Sequence, residues 1–405
     1  DPENVLKEIV DNILTFKENI IKRECEKILY HSFNEQLCKS TKPLIIAGGG
    51  IKTSLSKDIF YNFIKKYNIP VVTTYSAIDI FPSDDPLYMG RIGIYGERCG
   101  NIVVQKSDLL IIIGSRMSET TIGYNEILFN SCKKIVINIE DEILKINKIN
   151  VDLFIQQDIH NFINYLPNMK YKTEEYWIKS CNILKTKYFF EKPPIIYNKE
   201  CINPYDFFEQ FSNILPDESI IIPAAGSIFY ILRHMIKIKN KTKVIMFSQQ
   251  DLGYELPASI GAYFGNPQTI YSFNGDGSIQ FNIQELQTIV HYNLPIKIII
   301  FNNHKYGCIE VTQKSYFGNT FGINKETGLS FPNFKKLAYA YEIEYLYINS
   351  IDQVKEIFNE IYDNKPIIIE IEAEYQDRHP KLGMYIDING NKVPTPFDKM
   401  NPQIE

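Results

Sequence analysis

The sequence predicts an α/β fold with two doubly wound parallel sheets, one in each half of the chain. Three observations predict it. Short, continuous apolar runs rich in Ile and Val recur along the chain, amphipathic stretches separate them, and the same texture appears on both sides of a looser stretch near residue 190. Strands that are apolar on every residue belong to sheets covered on both faces, and intervening helices supply the crossovers. At 405 residues the chain exceeds one ordinary compact domain, so two are expected.

Each element has its own signal. Val5, Ile9, Ile13, Leu14, Phe16 and Ile20 recur at near-helical spacing and predict a helical lead-in over residues 1–40. A first domain is expected over 41–185. Within it, Pro43-Leu-Ile-Ile-Ala-Gly-Gly-Gly50 reads as a buried strand running into a glycine turn, and Ile59–Tyr67 as a helix. Strands follow at Ile69-Pro-Val-Val, Asp108-Leu-Leu-Ile-Ile-Ile and Lys134-Ile-Val-Ile. Charged helix and then Lys192-Pro-Pro-Ile lead to a linker placed at 186–199. A second domain is expected over 200–375, with strands at Ser219-Ile-Ile-Ile, Lys243-Val-Ile-Met-Phe, Thr269–Phe273, Ile296–Phe301 and Pro366–Ile371. Residues 376–405, with four prolines, form a tail.

Composition narrows the function classes. A formal net charge of −5 gives no reason to expect nucleic acid. The run Lys237–Lys243 reads as a solvated loop. Seven scattered cysteines without a C-x-x-C pair suggest reduced thiols in a cytoplasmic protein rather than a zinc site or disulfide framework. No apolar run approaches the roughly 20 residues needed to span a bilayer, and no signal peptide is recognisable, so no membrane partner is expected. None of the six histidines has ligand spacing to another.

The chemistry concentrates between Thr269 and Asn303. There a strand ends in Gly275-Asp276-Gly277-Ser278, an amphipathic stretch carries Phe281, Ile283, Leu286, Ile289 and Val290 on one expected helix face, and the next strand ends in Asn302-Asn303. In an open parallel sheet, ligands sit beyond the carboxyl ends of the strands. Glycines let a backbone approach phosphate closely, and a helix start offers free N–H groups to an anion. The Asp276 carboxylate cannot hold a phosphate itself, but it can hold a cation that does. A hard cation such as Mg²⁺ takes carboxylate, amide and carbonyl oxygens, and Asn303, 27 residues on, offers an amide oxygen.

This pairing resembles the diphosphate-binding motif of thiamine diphosphate (ThDP) enzymes. Gly253-Tyr-Glu-Leu-Pro-Ala-Ser-Ile-Gly-Ala262, Gln284–Thr288, Asn293–Lys297, Pro43–Gly50 and Ser107–Arg116 are similar to the acetolactate synthase branch. Gly90–Gly96, Asn302–Gly307 and Thr312–Phe317 resemble its acetolactate-synthase-like members from surface-polysaccharide pathways. The resemblance runs from about Thr41 to the C-terminus. It implies a Rossmann-like central domain, a diphosphate-binding domain, and a ThDP- and Mg²⁺-dependent carboligase or decarboxylase acting on a 2-keto acid such as pyruvate.

By motif position, Asp276, Asn303 and the Lys305 carbonyl would hold the metal. Gly226, Ser227, Gln250, Leu252, Gly275, Gly277, Ser278, Tyr306 and Gly307 would join them around the cofactor, with Leu252 keeping it bent. Leu252, His304 and Cys308 are candidates for lining its reactive face. The family's catalytic glutamate lies in a pyrimidine-binding domain that this sequence does not contain, so no catalytic residue is assigned. That domain is expected from an upstream segment, from a second copy in a homo-oligomer, or from a partner chain. A non-catalytic ThDP-binding or scaffold protein is the alternative. Ala225 replaces a frequent Asn, and Gln250 a frequent Gly that would tolerate positive φ. FAD at Gly48–Gly50, with Arg116 as phosphate contact, is disfavoured, as is NAD, because no G-x-G-x-x-G is followed by an acidic residue at the right distance.

Overall fold

The computed structural model describes residues 27–123, 129, 131–141, 149–193, 200–246, 251–360, 365–374 and 380–402. The lead-in helix before residue 27 and Gln250 lie outside the described residues. The chain divides into two compact units, one holding the chain up to Phe81, Asp85–Glu191 and the segment from Pro380, the other Pro82–Asp84 and Lys192–His379.

In the first unit, α1 (Lys27–Lys39) precedes β1 (Pro43–Ala47), α2 (Lys57–Tyr67), β2 (Val71–Thr73), β3 (Tyr88–Arg91), α3 (Arg98–Lys106), β4 (Leu109–Ile113), β5 (Lys133–Asn138), β6 (Leu153–Gln156), α4 (Ile159–Tyr165) and α5 (Glu175–Tyr188). The six strands are all parallel in the order β3-β2-β1-β4-β5-β6. Side chains alternate across a strand, so Ile45, Ile111, Ile113, Ile135 and Ile137 enter one core cluster while Leu44, Ile46, Leu110, Ile112 and Val136 enter another. Each fully buried aliphatic side chain contributes about 1.5–3 kcal/mol, which is why the strands read as unbroken apolar runs. The segment from Pro380 adds Leu382, Phe397 and Met400 to the second of these clusters. Arg98 fastens that segment: its guanidinium donates to the Glu191 carboxylate and to the carbonyls of Met400 and Pro402.

The second unit runs α6 (Pro204–Ile214), β7 (Ile220–Ile222), α7 (Ser227–Met235), β8 (Lys243–Val244), α8 (Glu255–Gly265), β9 (Ile270–Gly275), α9 (Glu285–His291), β10 (Ile296–Asn302), α10 (Gly307–Phe317), α11 (Phe334–Ala340), β11 (Glu344–Ile348), α12 (Ile351–Glu360) and β12 (Ile367–Glu372). Asn203 accepts the Tyr205 N–H and Pro204 occupies the first turn, a stable start for α6. The parallel sheet has the order β11-β12-β10-β9-β7-β8. One face buries Ile220, Ile270, Ile298, Ile300 and Ile368 under α8, α9 and α11. The other carries interlocking rings of Phe207, Phe208, Phe211, Phe273 and Phe301. The strand order reverses between β7 and β9, so the loops leaving those two strands open a crevice at the switch point.

Two expectations need correction. The stretch after the Gly-Asp-Gly turn is a 3₁₀ segment over Ser278–Asn282, and the α-helix begins only at Glu285. Phe281 therefore leaves the apolar face and stands 57% exposed. No helix among the described residues is long and apolar enough to cross a membrane.

Candidate functional site

At the crevice, β9 delivers Asp276 and β10 delivers Asn302 and Asn303. Parallel pairing aligns Gly275 with Phe301, and the Asp276 N–H donates to the Phe301 carbonyl at 3.2 Å. This leaves Asp276 beside the loop that follows β10. Its side chain is buried: Oδ1 accepts the Gly277 N–H at 2.7 Å, and Oδ2 has no partner among the described residues. Burial pushes its carboxyl up to about 6, with the main chain of Gly277, Lys305 and Asn303 and the His304 ring pulling the other way. A buried carboxylate oxygen left unpaired is costly, and a cation beside it would remove that cost.

The asparagine pair divides its work. Asn302 donates to Glu370 at 2.7 Å and accepts the His304 N–H at 3.1 Å, so it organises the strand end. Asn303 lies in the loop with main chain facing Asp276. The Lys305 carbonyl accepts the Gly307 N–H at 3.0 Å and keeps a second lone pair. Asp276 brings a carboxylate to this loop, and Asn303 and Lys305 carry an amide and a carbonyl oxygen on the loop itself, oxygen types that suit a hard cation. Among the described residues no group of three His, Cys, Asp or Glu forms a softer metal cluster.

The loop after β7 approaches from the other side. Gly226 adopts φ +76°, a conformation that other residues rarely reach. The Ser227 hydroxyl and Cys308 thiol lie 3.1 Å apart, joining the first turns of α7 and α10. Tyr306 lays its ring over Gly277. Before α8, Gly253 has φ +83° and donates its N–H to Ser278 Oγ at 2.9 Å, and Leu252 stands 41% exposed. The structure thus brings Gly226, Ser227, Gly275–Ser278, Gly253, Tyr306, Gly307 and Cys308 around one crevice. At φ +57°, His304 places its Nε2 2.9 Å from Glu372 Oε1, on an open cleft of about 950 Å³ that Asn303, Lys305, Phe331 and Tyr347 also line.

One residue at the site escaped sequence reasoning. Glu255 is fully buried, and its Oε1 accepts both the Ala225 N–H at 3.0 Å and the Ser278 hydroxyl at 2.7 Å. Burial raises its carboxyl above the ordinary range, against those hydrogen bonds. The available signal was an acidic residue heading an otherwise apolar helix.

In the first unit, the triple glycine has a packing role. A Cβ on Gly48 would stand 2.2 Å from the Gly114 carbonyl oxygen, and one on Gly49 2.7 Å from Ser76 Oγ. The glycines let the loops after β1 and β4 meet. Arg116 is exposed and faces Glu140 at 3.4 Å.

Comparison with known proteins agrees with this geometry. Residues 32–166 match the thiamine pyrophosphate enzyme central domain, and residues 224–371 the C-terminal TPP binding domain of the same enzymes. The chain therefore belongs to the thiamine pyrophosphate (ThDP) enzymes, and among them it is similar to acetolactate synthases. It is 28% identical over 348 residues to the acetolactate synthase large subunit of Lactococcus lactis, covering 83% of this chain and 58% of that one. A probable acetolactate synthase large subunit of Methanocaldococcus jannaschii is 29% identical over 361 residues, 85% of this chain and 60% of its own. The isozyme 2 large subunit of Escherichia coli is 25% identical over 325 residues, 79% and 58% of the two chains. The chain thus spans somewhat under two thirds of the length of these relatives.

Proposed function

We propose that this chain carries the central and diphosphate-binding domains of a ThDP- and Mg²⁺-dependent 2-keto acid carboligase or decarboxylase of acetolactate synthase type, acting on pyruvate or a close analogue. The observation that carries the reading is the unpaired, buried Asp276 Oδ2 at the β7–β9 switch point, beside the Asn303–Lys305 loop. Asp276, the Asn303 amide oxygen and the Lys305 carbonyl hold the metal. Main-chain N–H groups of Gly226, Ser227 and Ser278 receive the diphosphate, with Gly275, Gly277, Tyr306 and Gly307 shaping its bed. Leu252 supports the organic part, with Cys308 near it. When bound, ThDP supplies the carbanion chemistry that splits off carbon dioxide and joins the remaining fragment to a second carbonyl. The chain's own residues bind, orient and exclude water.

The pyrimidine-binding half and its glutamate come from a further domain or from another copy or partner chain. The surface beside the site supports this: α10 has no buried residue, and Ile309, Val311, Tyr316 and Phe317 are exposed along it. A helix of 11 residues is marginal without tertiary burial. The test is calorimetric titration of the chain with ThDP, with and without Mg²⁺, followed by pyruvate turnover. Metal-dependent binding is expected. Binding without turnover by this chain alone means that the diphosphate half-site is intact and awaits the pyrimidine-binding half. Binding without turnover once that half is supplied favours the non-catalytic alternative, and absence of binding to the two together overturns the reading.

A further inference from the structure

Glu255 reaches three loops at once. Through Oε1 it accepts the Ala225 N–H, which fixes the loop after β7 one residue before Gly226. The same oxygen accepts the Ser278 hydroxyl, which fixes the Gly-Asp-Gly turn. Having donated its proton there, Ser278 Oγ accepts the Gly253 N–H, which fixes the loop that presents Leu252. Asn282 closes the same link by donating to the Gly253 carbonyl at 2.9 Å. These segments lie 30 and 23 residues from Glu255 in sequence, and among the described residues no strand pairing joins the loops to one another. A serine hydroxyl has one proton, so that of Ser278 is spent on Glu255, and Ser278 offers an anion only its N–H.

We infer that Glu255 is the positioning residue of the diphosphate cradle: one buried carboxylate oxygen sets the register of the three loops that converge on the cofactor. The inference rests on the ThDP reading above. Glu255 is fully buried and presents no surface to a ligand; its Oε2 is sealed from solvent and has no partner among the described residues. Its contribution is preorganisation. The cradle's N–H groups are aimed before the anion arrives, which lowers the ordering cost of binding.

Two readouts on the full chain test it. The first needs no ligand: hydrogen exchange at the Ala225 and Gly253 amides. Glu255→Ala should raise exchange at both by about tenfold or more, since both lose a charge-assisted or linked bond, while amides of β9 and β10 stay protected. Ser278→Ala should deprotect Gly253 and leave Ala225 protected, and it serves if Glu255→Ala does not fold. The second is affinity for Mg²⁺·ThDP, and for Mg²⁺ with inorganic diphosphate as a minimal probe. Glu255→Ala should weaken both about tenfold or more, whereas Glu255→Gln, which keeps an acceptor oxygen, should stay within about threefold. Unchanged protection at Ala225 and Gly253, or a glutamine variant as impaired as the alanine one, overturns the role. A wild-type chain that binds neither probe overturns the ThDP reading instead, while the exchange data still decide whether Glu255 holds the loops.

Discussion

The ring of Tyr306 lies so close over Gly277 that a Cβ on the glycine would stand 2.1 Å from the ring's Cε1. No side chain, however small, fits there without moving the ring or the turn. Gly277→Ala should therefore destabilise the chain by about 1–3 kcal/mol, the usual cost of overpacking. It should also weaken Mg²⁺·ThDP binding, because Tyr306 belongs to the loop of Asn303 and Lys305. Urea unfolding and calorimetry check the two effects; a variant with wild-type values in both would show that the contact is soft.

Asp276 gives a pH dependence with a definite sign. Its folded carboxyl titrates at about 6. Between the ordinary carboxylate range and that value the folded chain holds a proton that the unfolded chain has released. Stability is therefore full below about pH 4 and falls as pH rises through 6, by roughly 3 kcal/mol at most. Without metal, Asp276→Asn should melt above wild type at pH 7.5 and level with it near pH 4. The same variant should lose Mg²⁺-dependent cofactor binding. A lower melting temperature at pH 7.5 would mean that the carboxylate is not the strained group described.

Arg91 and Glu97 form an ion pair inside the first unit, both buried, with Glu97 Oε2 unpartnered among the described residues. Burial pushes the Glu97 carboxyl up to about 7, with Arg91 pulling it down. Arg91→Met alone leaves the buried Glu97 carboxyl without its partner and should cost about 3–5 kcal/mol. Adding Glu97→Leu should recover much of that loss. Denaturant midpoints of the two variants decide it, and an equal or larger loss in the double variant would contradict the argument.

Arg98 is the clasp of the C-terminal segment, through the Met400 and Pro402 carbonyls. Arg98→Ala should leave both sheets intact and make the segment beyond Pro380 a preferred site of limited proteolysis. Cleavage as slow as in wild type would show that Leu382, Phe397 and Met400 suffice to hold it.

The sheets were legible because their central strands are buried on both faces, and runs such as Leu109–Ile113 admit no other reading. Edge strands were less so. Tyr88–Arg91 contains glycine and arginine, and Glu344–Ile348 opens on a charge and then alternates tyrosine with leucine and isoleucine, so neither forms a continuous aliphatic run. The Asp276 and Asn303 positions were readable from local spacing, since each ends a strand. The 3₁₀ turn at Ser278 was not. Periodicity registers Phe281 as apolar but is blind to Ser278 and Asn282, whose side chains bond Glu255 and Gly253. His304 was placed by its neighbour in sequence, yet its positive φ and the Glu372 carboxylate on β12 decide where its ring goes. Glu255 depends on partners far along the chain, a relationship that no window of sequence contains.

The return of the C-terminal segment to the first unit has a bearing on synthesis. Leu382, Phe397 and Met400 complete a core that begins with Leu44 and Ile46, yet the intervening stretch from Lys192 to His379 belongs to the other unit. On a ribosome adding about 5–20 residues per second, that stretch takes roughly ten to forty seconds to emerge. Throughout that interval the nascent first sheet waits with one apolar face incompletely covered. The part made first is among the last to be finished, and its exposure to aggregation or to chaperones is set by the translation time of its neighbour.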